Sequence, residues 1–221
     1  PTRPLRQTTL EAPRRGLATA MVFCEGLRKG ATLSWKIKPA LPFQLFRVRD
    51  VPVEANTGPV GFIEKPGQHN SHVFRRAPFR VHDALEPLPR RHETEGEREI
   101  FRLHVPIPPD APAGKKTFVL SLCQERDTLE MAFSLFVPSV VIPPVGRYSW
   151  PVTNWFSTEN MAIRHGLRPW SEAHWAMIAQ YAHLMAHGRQ NTFWFTFKDM
   201  FDVRNGTLVL HRDRLRRYVN L

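Results

Sequence analysis

The stretch PWSEAHWAMIAQYAHLMAHGRQNTFWFTF, residues 169–197, contains the two clearest structural signals in this sequence. Ser171 is a suitable helix N-cap with Glu172 in the first turn, and apolar residues then recur at helical spacing. Gly188 is a suitable residue for ending that helix. The apolar run Thr192–Phe197 predicts a strand that is buried on both faces.

The neighbouring segments extend this pattern to a βαβ unit. Tyr148–Phe156 is a possible strand before the helix, and Thr192–Phe197 is the strand after it. A unit of two parallel strands leaves one face of its sheet uncovered, so we expect more chain, or a partner, to cover the apolar strand. Further along, Asn205-Gly206 predicts a hairpin whose returning strand contains Leu208–Leu210. The last twelve residues predict a short helix.

The earlier part of the chain is rich in short strand-like segments separated by prolines. Phe101, Leu103 and Val105 alternate with polar residues, which is typical of a half-buried strand. We therefore predict an antiparallel β-sandwich domain at 1–142, followed by an incomplete α/β domain at 143–221. Within the sandwich, 111–115 predicts a turn that joins two paired strands, and the charged stretch 86–99 predicts an exposed loop.

Composition excludes several classes of protein. The net charge is +11, but the arginine clusters are scattered along the chain, so a nucleic-acid partner is not predicted. No apolar run reaches about 18 residues, so no membrane span is predicted. The chain begins with proline and shows no secretion signal, which leaves the compartment open, with a secreted or periplasmic location as one alternative. Cys24 and Cys123 are either two free thiols or one disulfide.

No cofactor and no metal site is predicted. His183 and His187 have the spacing of two metal ligands on a helix, but the H-E-x-x-H pattern is absent and no acidic residue joins them. The sequence also lacks a glycine-rich phosphate loop and a G-x-S-x-G nucleophile motif.

Several motifs follow one another in a distinctive order: Asn154-Trp155-Phe156, His165-Gly166, Trp170–Trp175, Gln190-Asn191-Thr192 and Leu208–Leu221. This order resembles the start of the catalytic domain of glycoside hydrolase family 123. His82–Leu88, Phe101–Gly114 and Val137–Pro143 are similar to elements that precede that domain in the family. The resemblance extends over residues 30–221.

The resemblance implies a β-sandwich at 1–142 followed by the truncated start of a (β/α)₈ barrel at 143–221, so that this chain would end inside the barrel. The activity that it implies is removal of terminal N-acetylgalactosamine with retention of configuration. In this chemistry the acetamide of the substrate is the nucleophile, and an adjacent Asp-Glu pair polarises it and donates the proton. The 221 residues contain no Asp-Glu pair. No catalytic residue is therefore assigned, and this chain alone is predicted to be inactive as a hydrolase.

Four residues are predicted to bind a carbohydrate, because barrel sites lie at the carboxyl ends of the strands. Asn154 and Trp155 would end the first strand, and Phe197 and Lys198 the second. Trp155 could stack on a sugar ring or serve as a core aromatic, and Lys198 could bond a hydroxyl or lie in a solvated loop. The alternative function is a non-catalytic β-sandwich module that binds carbohydrate or protein.

Overall fold

The computed structural model describes residues 8–56, 73–146 and 149–221. The chain divides into two compact units, Pro1–Ile142 and Pro143–Leu221. We call them the first unit and the second unit.

The first unit consists of nine strands among its described residues. They are β1 (Thr8–Glu11), β2 (Leu17–Glu25), β3 (Thr32–Lys38), β4 (Gln44–Val53), β5 (Phe79–Pro87), β6 (Arg91–Glu93), β7 (Arg98–Pro106), β8 (Gly114–Gln124) and β9 (Asp127–Val137). They form a five-stranded sheet in the order β1-β9-β8-β3-β6 and a four-stranded sheet in the order β2-β7-β4-β5. Every pair in the two sheets is antiparallel except β1–β9.

The two sheets share one hydrophobic core, as expected for a β-sandwich. The predicted alternation in β7 is confirmed, because Phe101, Leu103 and Val105 are fully buried while the residues between them are half-exposed. In the facing sheet, Phe118 of β8 stacks on Phe133 of β9 with 5.6 Å between ring centroids. The period of two along each strand therefore places one apolar face of each sheet against the other.

Two local predictions for the first unit are wrong. The turn between β7 and β8 lies at 109–110, residues 114–115 already belong to β8, and the two strands are in different sheets. The stretch 86–99 contains strand β6 and three buried polar side chains, those of His92, Thr94 and Glu99. Glu99 is buried because its carboxylate is satisfied: Oε1 accepts a bond from the Glu95 amide at 2.6 Å, and Oε2 lies 2.8 Å from His92 Nε2. Part of the charged stretch 86–99 is therefore buried in the sandwich.

The two cysteines lie in different sheets of the sandwich. Cys24 is in β2 and Cys123 is in β8, and both are free thiols. Burial raises the pKa of the Cys24 thiol to about 12, and the negative charge of Glu99 adds to the effect. Cys24 therefore behaves as a small core residue rather than as a nucleophile.

The second unit contains three helices, a short hairpin and a single 3₁₀ turn among its described residues. The elements are α1 (Thr158–Arg164), α2 (Glu172–His187), the 3₁₀ turn Phe197–Met200, β10 (Phe201–Arg204), β11 (Thr207–Leu210) and α3 (Arg212–Val219). The predicted start of α2 is confirmed, since Ser171 Oγ accepts a bond from the His174 amide at 3.3 Å. The hairpin at Asn205-Gly206 is confirmed too, and both residues have positive φ, as a type I′ turn requires.

The two strands predicted around α2 are absent from the described residues; Tyr148, the first residue of the predicted strand Tyr148–Phe156, lies outside them. Segments 149–156 and 191–196 have no regular strand structure, so these residues form no βαβ unit. Backbone contact between the segments is limited to the amides of Asn191 and Thr192, which donate to the carbonyl of Val152 at 3.1 and 3.2 Å. Pro151 has no amide to extend this ladder. Thr192–Phe197 is not buried on both faces either, because Trp194 and Phe197 are exposed.

A mainly aromatic core holds the second unit together. Its buried residues are Met161 of α1, Trp175 and Ile178 of α2, Met200 of the 3₁₀ turn and Tyr218 of α3. Tyr218 stacks on Phe193 at 5.3 Å between centroids, and its hydroxyl donates to the Trp194 carbonyl at 2.6 Å. Phe193 and Phe195 thus pack against the core, which leaves Trp194 between them facing outward.

Candidate functional site

A stacked pair of tryptophans forms an exposed surface on the second unit. The rings of Trp155 and Trp194 lie 5.1 Å apart at an angle of 20°. Trp155 is 78% exposed and Trp194 is 40% exposed. We call them the tryptophan pair. Exposed indoles are unusual on a protein surface, and their flat apolar faces suit the C–H face of a sugar ring.

Two amide side chains hold the tryptophan pair in place. Gln190 Oε1 accepts a bond from the Asn154 amide at 2.6 Å, and Asn191 Oδ1 accepts one from the Val152 amide at 2.8 Å. The Nδ2 group of Asn191 also donates to Ser149 Oγ at 2.8 Å. In place of the backbone hydrogen bonds of a β-sheet, these side-chain bonds hold the segment before Trp155 beside the segment that contains Trp194. We call Gln190 and Asn191 the amide clamp.

Lys198 lines a separate cavity of about 300 Å³ in the second unit. Its ammonium lies 3.4 Å from Glu159 Oε2, at the exposed end of α1. The full lining comprises Thr158, Glu159, Pro169, Trp170, His174, Lys198, Asp199, Phe201, Asp202 and Arg214. We call it the Lys198 cavity. It contains cations, carboxylates and one indole, which are the groups that bind sugar hydroxyls.

His174 is buried in the wall of the Lys198 cavity and is fully hydrogen-bonded. Its Nδ1 accepts a bond from the Trp170 amide at 2.9 Å, and its Nε2 donates to the Thr158 carbonyl at 3.0 Å. One ring nitrogen accepts and the other donates, so the imidazole is neutral. Burial lowers the pKa of His174, which agrees with that protonation state. The histidine fixes the start of α1 against the turn that precedes α2.

Arg214 of α3 forms another part of the cavity wall. Its guanidinium lies over the ring of Trp170, 4.4 Å from the centroid, and donates to the Asp199 carbonyl at 2.5 Å. Burial lowers the pKa of Arg214. At the neighbouring position, His211 Nε2 lies 2.7 Å from Asp202, and this contact lowers the pKa of that carboxyl. The lowered pKa keeps the carboxyl group of Asp202 in its ionised form beside His211.

The structure divides the four predicted sugar-binding residues between two places. Trp155 belongs to the tryptophan pair. The backbone amide of Asn154, the preceding residue, donates to Gln190 of the amide clamp, and the Asn154 side chain is exposed. Lys198 lines the cavity, while Phe197 is 67% exposed and packs on Phe201 at 4.5 Å between centroids. The residues thus do not line one common pocket.

Three residues of these surfaces are not predicted from the sequence. The sequence places Trp194 in a buried strand, Arg214 lies in one of the scattered arginine clusters, and His174 belongs to the Trp170–Trp175 motif without a predicted role. The position of His174, three residues after the N-cap Ser171, is the one signal that could have placed it near a helix start. Nothing in the sequence indicates that Trp194 stacks on Trp155.

The residues that the structure describes offer no metal or membrane-spanning site. No group of three or more histidine, cysteine or acidic side chains among them could hold a metal ion. His183 and His187 lie on the exposed face of α2. Within the same described ranges, no helix has the length and apolar character to cross a bilayer.

Similarity to known proteins is found in the fold and not in the sequence. No protein-family model matches the chain, and neither does any curated protein. Among solved structures, the chain is similar to a family 123 glycoside hydrolase from Clostridium perfringens, which was analysed for glycolipid glycan hydrolysis. The TM-score is 0.62 at 9% identity, over 98% of this chain and 40% of that one. The chain has a fold like the corresponding part of that hydrolase and spans about 40% of its length.

Proposed function

We propose that this chain is the carbohydrate-binding part of a glycoside hydrolase-like protein and that the tryptophan pair is its main contact with sugar. The substrate class that we infer is a glycan ending in N-acetylhexosamine, with terminal N-acetylgalactosamine favoured. The second unit would correspond to the beginning of a barrel domain. The fold likeness to a hydrolase of family 123 supports the class of protein.

The tryptophan pair is the observation that carries this proposal. Two parallel indoles with an exposed outer face form an apolar platform, and the amide clamp keeps it rigid in the absence of ligand. A platform that is already ordered loses little side-chain entropy when a sugar binds. The exposed amide side chain of Asn154 lies next to Trp155 in the chain and can bond a ring hydroxyl or an acetamide.

Titration with N-acetylgalactosamine oligosaccharides, followed by tryptophan fluorescence and calorimetry, tests the proposal. Replacing Trp155 with alanine removes the exposed indole face, so we expect the dissociation constant to rise about tenfold, which corresponds to about 1.4 kcal/mol. Trp194→Ala should raise the dissociation constant to a similar extent, because Trp155 then loses the indole ring on which it stacks. Trp150→Ala is the matched control, since Trp150 is exposed and lies outside the pair.

Binding that is equal in wild type and the Trp155 variant would contradict the proposal. It would instead favour the first unit as a stand-alone binding module. One observation supports that second candidate: a cavity of about 410 Å³ at β2, β4 and β7 in the sandwich. Phe23, Arg47 and Glu95 are among its lining residues.

The purified chain is expected to release no chromophore from a chromogenic N-acetylgalactosaminide. The physical reason is the absence of an Asp-Glu pair to polarise an acetamide and protonate the leaving oxygen. Turnover above a blank that contains the Trp155→Ala variant at equal concentration would show that other residues of the chain perform the chemistry.

A further inference from the structure

A cavity of about 500 Å³ opens at one edge of the sandwich in the first unit. On this side β6 pairs with β3 along Thr32–Ser34 only, so the rest of β3 has no strand neighbour there among the described residues. The cavity is lined by residues of this unpaired part of β3, of segment 40–45 and of segment 88–90. We call it the edge cavity. Its volume is sufficient for a small organic ligand.

Apolar side chains form much of the wall of the edge cavity. Trp35 faces the interior of the sandwich, because it lies opposite the buried Leu122 in the pairing of β3 with β8. Four large apolar side chains of the lining pack against the core and are only partly buried: Trp35, Leu41, Phe43 and Leu88. Because their remaining surface is not covered by the core, a ligand with an apolar body gains free energy by covering it.

The charged residues of the lining are all cationic. They are Lys36 and Arg90, and no acidic residue is among the described residues that line the edge cavity. Lys36 follows Trp35 in the strand and therefore points to the outer face of the sheet, which leaves Arg90 as the available cation. Arg90 is exposed and forms no ion pair with a described residue. A free guanidinium favours a carboxylate, to which it can donate two parallel hydrogen bonds.

Other donors of the lining are also free to bind an acceptor. The indole N–H of Trp35 donates to no residue in the described ranges, and it is not sealed from solvent. Indoles that are largely buried usually donate to a partner. The backbone amides of Ala40 and Leu41 likewise form no hydrogen bond within the described part of the chain. The polar groups of the edge cavity therefore lack acceptors rather than donors.

We propose that the edge cavity binds a small amphipathic carboxylate, an organic acid whose apolar body lies against Trp35 and Phe43 and whose carboxylate binds Arg90. The apolar wall and the cation are complementary to the two ends of such a molecule. This site belongs to the first unit and takes a different class of ligand from the tryptophan pair. It is thus a second binding function that does not depend on the proposed binding of glycans.

Calorimetric titration of the full chain with phenylbutyrate and with phenylbutyramide tests the proposal. The two compounds have the same apolar body, and only the first carries a charge. We expect wild type to bind the carboxylate about tenfold more tightly than the amide. Arg90→Gln should remove this difference by weakening the binding of phenylbutyrate alone. Arg91→Gln is the matched control, since Arg91 is exposed and lies outside the lining.

The apolar wall is tested with Trp35→Leu, which should weaken the binding of both compounds by roughly threefold or more, because it removes part of the contact surface. Circular dichroism checks that the sheets of this variant remain intact. Trp155→Ala should bind phenylbutyrate as wild type does, whatever its affinity for glycans. This variant distinguishes a failure of the edge cavity from a failure of the glycan site.

Three outcomes contradict the edge cavity as a carboxylate site. Wild type that binds neither compound at millimolar concentration excludes the site. Equal affinity for the two compounds, or an Arg90→Gln variant that keeps the preference for phenylbutyrate, excludes the role of Arg90. Undiminished binding to a folded Trp35→Leu variant means that both compounds bind elsewhere on the chain.

Discussion

Replacement of His174 by leucine is expected to lower the free energy of unfolding of the second unit by about 3 kcal/mol. Leucine fills the same space but cannot accept the bond from the Trp170 amide or donate to the Thr158 carbonyl. Two buried backbone groups are then left without partners, and each costs roughly 1–3 kcal/mol. Urea denaturation followed by tryptophan fluorescence measures the change, since five of the six tryptophans follow residue 143.

His183→Leu is the matched control, because His183 lies on the exposed face of the same helix. A change at such a position is expected to stay within about 0.5 kcal/mol. Equal effects of the two substitutions would mean that His174 acts through general helix properties and not through its two hydrogen bonds.

The pH dependence of the free energy of unfolding tests the role of His174 independently. The pKa of His174 is lowered in the folded state, so folding favours the neutral imidazole. The stabilisation is complete above the unfolded pKa of about 6.5 and is lost as pH falls towards the folded pKa. Wild type should therefore lose stability on acidification below that value, and this loss should be smaller in the His174→Leu variant.

Replacement of Asn191 by alanine is expected to cost about 2 kcal/mol and to separate the tryptophan pair. Alanine removes the acceptor of the Val152 amide and the donor to Ser149, each worth roughly 1 kcal/mol. Without the clamp, the segment that contains Trp155 loses its fixed distance from Trp194. The exciton couplet of two stacked indoles in the circular dichroism spectrum reports this distance.

Asn191→Asp separates the contribution of the Oδ1 acceptor of Asn191 from that of its Nδ2 donor. The aspartate keeps an acceptor for the Val152 amide and loses the donor to Ser149, so we expect about half of the destabilisation and a retained couplet. Asn220→Ala, at the exposed end of α3, is the control that should change neither quantity. An undiminished couplet in Asn191→Ala would contradict the role of the clamp.

Local patterns predicted the elements whose formation depends on neighbouring residues in the chain. Ser171 caps α2, Asn205-Gly206 turns the hairpin, and the alternation at Phe101–Val105 identifies β7, since each is set by local backbone preference or a simple periodicity. Apolar character alone could not show that Thr192–Phe197 lacks strand neighbours. Its exposed Trp194 follows from packing on Trp155, which lies far away in the sequence.

The candidate site was predictable to a similar extent. The sequence singles out Trp155 and Lys198, and the structure shows that Trp155 is exposed and that Lys198 lines a cavity; their binding of sugar stays a prediction. Their partners were not predictable, because Arg214 and His174 reach the Lys198 cavity from separate helices. Charged residues in the stretch 86–99 suggested solvent exposure, yet Glu99 is internal because its partners, which include His92, satisfy the charge.

The amide clamp consists of uncharged groups, and this has a consequence for the conditions under which the protein works. Neither Gln190 nor Asn191 titrates, and dissolved ions do not screen their short hydrogen bonds. The platform of indoles therefore keeps its shape in brine, in dilute buffer and across the physiological range of acidity.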